Sequence, residues 1–135
     1  MSLIGYALRM AKQYYNSETY EHALRVATHV ADNSLIPENK MDLCIALGIM
    51  HDLVEDTSYS EFNIIPDELK AGLKNLTKRN DQSYSYYIKS IVTNKKWCPE
   101  AYWVKLADIK DHLLHSETLT DSLKEKYLGI IPYLL

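Results

Sequence analysis

Leu43-Cys44-Ile45-Ala46-Leu47-Gly48-Ile49-Met50, followed at once by His51-Asp52 and then by Leu53-Val54, is the stretch on which the fold turns. Wound at about 100° per residue it is apolar on nearly every side, the pattern of a helix central to a core. A carboxylate in such a helix must be paired, neutralised or bound to a cation, because nothing else replaces its lost water. Glu55 and Asp56 follow directly. On one continuous helix, His51, Asp52, Glu55 and Asp56 share an arc of roughly 140°. An imidazole and three carboxylates on one side of a buried helix repel each other if left uncompensated, and a divalent cation resolves the conflict. A hydrogen-bonded core histidine, with Glu55 and Asp56 in solvent, is the plainer reading. It suits a lone histidine better than this group of four.

Outward from that stretch the apolar spacing is helical almost throughout. A first helix is expected from about Ile4 to Tyr15, and a second, capped by Ser17 or Thr19, with Ala23, Ala27 and Val30 on one face. Pro37 starts the third, Glu38 to Val54, which Thr57 and Ser58 end. Pro66 opens a helix to about Thr77, with Asp67 and Glu68 at its positive end. Ser83 caps Tyr84–Asn94, Pro99 opens a long helix through His115, and Thr120 or Asp121 opens the last. With only 4 glycines and 4 prolines, most of the turn chemistry of a β-rich fold is missing. Seven helices, no repeat and no linker predict an all-α, compact multi-helix globule in which residues 1–135 form one domain.

The formal net charge of −3 argues against a nucleic-acid binder working through a broad basic surface. Cys44 and Cys98 lack the close pairing of zinc ribbons, and read as packed rather than bonded thiols. Met1-Ser2-Leu3-Ile4-Gly5 lacks the charged start of a signal peptide, and no stretch approaches the roughly 20 apolar residues of a membrane span. A cytoplasmic protein is expected.

A metal needs donors from elsewhere in the chain. His22 sits beside Ala23 and Val26, and Asp108 interrupts Val104-Lys105-Leu106-Ala107-Asp108-Ile109, so both are polar residues on faces that should be buried. Two imidazoles and two carboxylates suit manganese, iron or zinc better than calcium. The order of these residues resembles the HD-domain metal-dependent phosphohydrolase superfamily: a histidine in Tyr20-Glu21-His22-Ala23-Leu24-Arg25-Val26-Ala27, then His51-Asp52, then the aspartate of Val104–Asp108. Within it, His51-Asp52-Leu53-Val54-Glu55-Asp56-Thr57 and Leu76-Thr77 are similar to the hydrolase domain of RelA/SpoT proteins and to small stand-alone alarmone hydrolases. The resemblance spans about residues 7–115. It implies an HD-domain globule with His22, His51, Asp52 and Asp108 as metal ligands and Glu55 and Asp56 as catalytic carboxylates. It also implies manganese as the metal and guanosine tetra- or pentaphosphate, cleaved at the 3′-pyrophosphate, as substrate. Two features differ from that branch: Lys12–Thr19 is nearly uncharged where a basic stretch is usual, and Ile109 and His112 stand where a basic residue and an asparagine are common.

The expected reaction is therefore metal-dependent hydrolysis of a phosphate or pyrophosphate ester of a nucleotide, with Glu55 as base and Asp56 orienting the water or a ligand. A non-catalytic metal- or nucleotide-binding regulatory protein is the alternative from another class. A phosphodiesterase of a cyclic or oligonucleotide substrate fits the net acidity less well. Lys105, Tyr86 and His112 are the candidate substrate contacts, and His29, two turns after His22, is an extra ligand or a further contact. Trp97 and Trp103 read as core, and Lys95-Lys96 as a basic pair at a helix end. The apolar tail Ile130–Leu135 either packs back on the domain or is buried in a partner subunit of a homo-oligomer.

Overall fold

The apolar run Leu43–Met50 forms the last turns of a central helix around which the others are arranged. The computed structural model describes residues 2–57, 59, 64–115 and 119–134, apart from the side chains of Asp56 and Leu134. In that part of the chain the helices are α1 (Leu3–Tyr14), α2 (Ser17–Ala31), α3 (Glu38–Met50), α4 (Leu53–Asp56), α5 (Asp67–Leu76), α6 (Tyr84–Thr93), α7 (Pro99–Leu114) and α8 (Asp121–Leu134). A 3-10 turn covers Asn94–Lys96, and no strand occurs among the described residues. No described helix is long and apolar enough to cross a membrane.

Local chemistry accounts for most of the boundaries. Ser2 Oγ accepts the Gly5 N–H at 2.9 Å at the start of α1, and Ser83 accepts the Tyr86 N–H at 3.1 Å at the start of α6. The cap of α2 is Asn16, whose Oδ1 accepts the Thr19 N–H at 2.8 Å, rather than Ser17 or Thr19. Asparagine is as good a cap as serine, and it comes first in the chain. Pro66 precedes α5 with Asp67 and Glu68 in the first turn, as the dipole favours.

α3 packs against α1, α2, α5 and α7. Leu47, Ile49 and Met50 are among the fully buried side chains, each contributing about 1.5–3 kcal/mol relative to exposure. Gly72 of α5 lets that helix come close, since a Cβ there would lie 2.5 Å from Leu47 Cδ1. A second apolar cluster joins α6, α7 and α8 through Tyr87, Ile88, Ile91, Ile109, Tyr127 and Ile130. The C-terminal segment thus packs back on the domain at Ile130, while Tyr133 stays partly exposed. Cys44 and Cys98 are buried and unbonded to each other.

Two further expectations are overturned. The third helix does not run on to Val54, because it stops at Met50 and a separate turn, α4, begins at Leu53. Side chains take up the backbone groups that a continuing helix would have paired. His51 Nδ1–H donates to the Gly48 carbonyl at 2.7 Å, the Tyr15 hydroxyl donates to the Ile49 carbonyl at 3.0 Å, and the Asp52 N–H donates to the Tyr15 oxygen at 3.2 Å. Trp97 is not core. It is 80% exposed beyond the 3-10 turn, with the Lys96 ammonium 5.6 Å from its ring centre. Trp103, by contrast, packs partly buried against the main cluster.

Candidate metal centre

Three segments carry polar residues of otherwise apolar faces to one point. α2 holds His22 among buried Ala23, Val26 and Ala27, α7 holds Asp108 between Ala107 and Ile109, and the break after α3 holds His51 and Asp52. One donor atom from each of these four residues lies within 4.8 Å of the other three. His22 Nε2 is 2.9 Å and His51 Nε2 3.1 Å from Asp108 Oδ1, and His51 Nε2 is 3.1 Å from Asp52 Oδ2. His22 Nε2 and Asp52 Oδ2 are 4.0 Å apart. Donors bonded to one ion at about 2.0–2.2 Å stand roughly 3 Å apart when adjacent and about 4 Å apart when opposite. The four residues fit that spacing.

Hydrogen bonds behind the rings assign which nitrogen faces inward. The Gly48 carbonyl takes the His51 Nδ1 proton, and Asp111 Oδ2, 2.7 Å away, takes the Nδ1 proton of His22. Each neutral imidazole then aims its Nε2 lone pair at carboxylate oxygens, the arrangement of a metal ligand held by an outer partner. Lone pairs facing one another at these distances require positive charge between them, either a proton or a metal ion.

The electrostatics express the same demand. Burial pushes His22 toward the neutral form, but the hydrogen bond and charge of Asp108 outweigh it and raise its pKa. Burial acts likewise on His51, and Asp52 with Asp108 raises it well above the usual range. Asp108 lies well below the ordinary carboxylate range: burial opposes ionisation, and the Lys105 ammonium and His51 overcome it. Lys105 is itself buried, with Nζ 2.8 Å from Asp108 Oδ2 and 5.1 Å from the centre of the Tyr87 ring. It neutralises one carboxylate oxygen while Oδ1 faces the imidazoles, so its ammonium is held inside the protein beside Asp108.

His112, one turn after Asp108, belongs to the cluster's edge. Its Nε2 is 3.2 Å from Asp108 Oδ1, and its ring stacks on Tyr127 at 4.7 Å. It lines a cavity of about 250 Å³ together with His22, Asp52, Arg25 and Asp111. His29 does not reach the four donors; its Nε2 is 3.3 Å from Asp111 Oδ1. Tyr86 is exposed and lines a different cavity.

Glu55 is outside the four-residue group. α3 ends at Met50 and a helical turn resumes only at Leu53, and the exposed Glu55 carboxylate accepts the Lys78 backbone N–H. The side chain of Asp56 lies outside the described residues.

Asp111 was not anticipated. It is buried, and it accepts from His22 Nδ1 and from Arg25 Nε, the latter at 3.0 Å from Oδ1. The available signal was paired spacing: Asp108, Asp111 and His112 fall on one face of α7, opposite His22, Arg25 and His29 on one face of α2.

No curated protein matches the sequence. The HD domain family model matches residues 19–113, which include all four clustered residues together with Asp111 and His112. The match takes in well over half of the chain, and with the His/Asp cluster it identifies the protein as a member of the HD-domain family of metal-dependent phosphohydrolases.

Proposed function

We propose that this phosphohydrolase cleaves a phosphate or pyrophosphate ester of a nucleotide, with a divalent metal, manganese first among the candidates, held by His22, His51, Asp52 and Asp108. The observation that carries the proposal is the convergence of those four donors within 4.8 Å, with both imidazole Nδ1 atoms engaged elsewhere. A bound metal supplies Lewis acidity, which lowers the pKa of a water and polarises a phosphoryl oxygen. Lys105 holds Asp108 in a single-oxygen presentation, and Asp111 holds the His22 ring. Glu55 is the proposed base, its carboxylate oriented by the Lys78 N–H, and Asp56 is the proposed partner carboxylate. His112 and Arg25, both lining the cavity beside His22, are the proposed contacts for substrate oxygens.

The likeness of His51–Thr57 and Leu76-Thr77 to RelA/SpoT hydrolase domains makes guanosine tetraphosphate the first substrate to assay. The purified protein, loaded with manganese, iron or zinc, is screened against guanosine tetraphosphate, common nucleotides and simple phosphoesters. Turnover of a nucleotide, lost together with metal binding in Asp52→Ala, is the expected result. Metal bound stoichiometrically with no nucleotide turned over would overturn the proposal in favour of a binding role.

A further inference from the structure

A cavity of about 600 Å³ opens between α5 and α6, apart from the one at His22 and Asp52, with which it shares no lining residue. Its lining includes Lys70, Lys74 and Arg79 and no carboxylate, although the chain carries a net charge of −3. The three cations are exposed. Lys70 and Arg79 rest in surface pairs with Asp67 and Asp81, at 2.8 and 3.1 Å, and such pairs yield readily to a stronger anion. Lys74 has no ion pair among the described residues. The floor is apolar, formed by Val54, Ile65 and Leu73, and one wall is aromatic, formed by the exposed Tyr86 and the buried Tyr87. Asn75 and Asn94, joined by a 2.9 Å hydrogen bond, add amide groups at the rim.

These features select a ligand with a multiply charged end and a flat, hydrogen-bonding aromatic end. Concentrated positive charge recognises phosphate, tyrosine faces stack on a ring, and a cavity of several hundred cubic ångströms suits a small molecule. A mononucleotide has both ends. The Tyr87 wall also leads to the metal centre: its ring lies 5.1 Å from Lys105 Nζ, which is 2.8 Å from Asp108 Oδ2. We propose that this cavity is a second binding site, for a mononucleotide, distinct from the metal centre and coupled to it through Tyr87 and Lys105. The site rests on the cavity alone, whatever substrate the metal centre hydrolyses.

Calorimetric titration with guanosine 5′-monophosphate in a chelator-containing buffer removes the metal centre from the measurement. One equivalent should bind, with guanosine alone and inorganic phosphate alone each about tenfold weaker or more. Lys74→Glu with Arg79→Glu should weaken binding by about tenfold or more and lower the unfolding temperature by no more than about 5 °C, because both side chains are exposed. Asp52→Ala should leave it unchanged. Absence of binding, equal binding by the double variant, or loss of binding in Asp52→Ala would overturn a separate site. For the coupling, the monophosphate should shift the manganese affinity of the wild type by about threefold or more and leave that of the double variant unmoved. An identical small effect in both proteins would overturn the coupling.

Discussion

Replacing Asp111 with asparagine keeps the shape of the side chain and removes its charge, which isolates what the carboxylate does for His22. At present Asp111 Oδ2 stands 2.7 Å from His22 Nδ1 and Oδ1 stands 3.0 Å from Arg25 Nε. The amide offers one neutral acceptor in place of two charged ones, so the ring is less firmly oriented and its Nε2 less basic. Loss of such a partner behind a ligating imidazole costs about 10- to 100-fold in metal affinity. With manganese at about 100 times the wild-type Kd, bound metal stabilises the wild-type fold by about 2.7 kcal/mol; a site tenfold weaker retains about 1.4 kcal/mol, and one a hundredfold weaker about 0.4 kcal/mol. For 135 residues, an unfolding entropy of about 2.1 cal/mol/K per residue converts 1 kcal/mol into about 3.5 °C. Manganese should therefore raise Tm by about 9–10 °C in the wild type and by only about 1–5 °C in Asp111→Asn. Titration calorimetry reads the affinity, and scanning calorimetry with and without metal reads the increments, the metal-free scan separating a folding defect from a binding defect. An Asp111→Asn protein that binds manganese within about twofold of wild type, well short of the loss expected of an outer partner, would rule out this role and leave Asp111 as a partner of Arg25 and His29.

Glu55→Gln should bind manganese as the wild type does and lose about 10²-fold or more in turnover; full activity would remove Glu55 from the role of base. Gly72→Ala gains about 1 kcal/mol in helix propensity, but its Cβ would meet the fully buried Leu47 at 2.5 Å. Overpacking of this kind costs about 1–3 kcal/mol and should win, so a denaturation midpoint above wild type would contradict the packing account. Burial pushes the Cys44 thiol up to about 12 and Cys98 to about 11. Both folded values exceed the ordinary 9.0, so the stability they contribute is complete below pH 9.0 and is lost as pH rises through 11 and 12. Neither thiol should react with a disulfide reagent at a pH of about 8 until the protein unfolds, since the reactive thiolate is scarce and enclosed; prompt reaction of either in the native protein would count against their burial.

Helical periodicity, caps and the isolated polar residues on apolar faces were legible in the sequence, because each depends on neighbours within a turn or two. That reading reaches the all-α class, the start of most helices, and His22, His51, Asp52 and Asp108 as residues with no ordinary reason to be buried. It does not reach the end of α3, which depends on Tyr15 supplying both a donor to the Ile49 carbonyl and an acceptor for the Asp52 N–H from another helix. A contact between residues so far apart in the chain leaves no local pattern. The break also puts Glu55 on a separate helical turn from the one that carries Leu47–Met50. It is the packing of α7 on α2 that sets Asp111 against the His22 imidazole, and Lys105 turns inward to Asp108. Tyr86 likewise sits at a second, cationic cavity rather than beside the metal centre, because side-chain direction is set by how α6 packs and not by its own sequence. Local pattern marks the polar residues that have no ordinary reason to be buried; the packing of α2 against α7 and the break after α3 bring one donor atom of each within 4.8 Å of the others, because only distant parts of the chain in contact can do so.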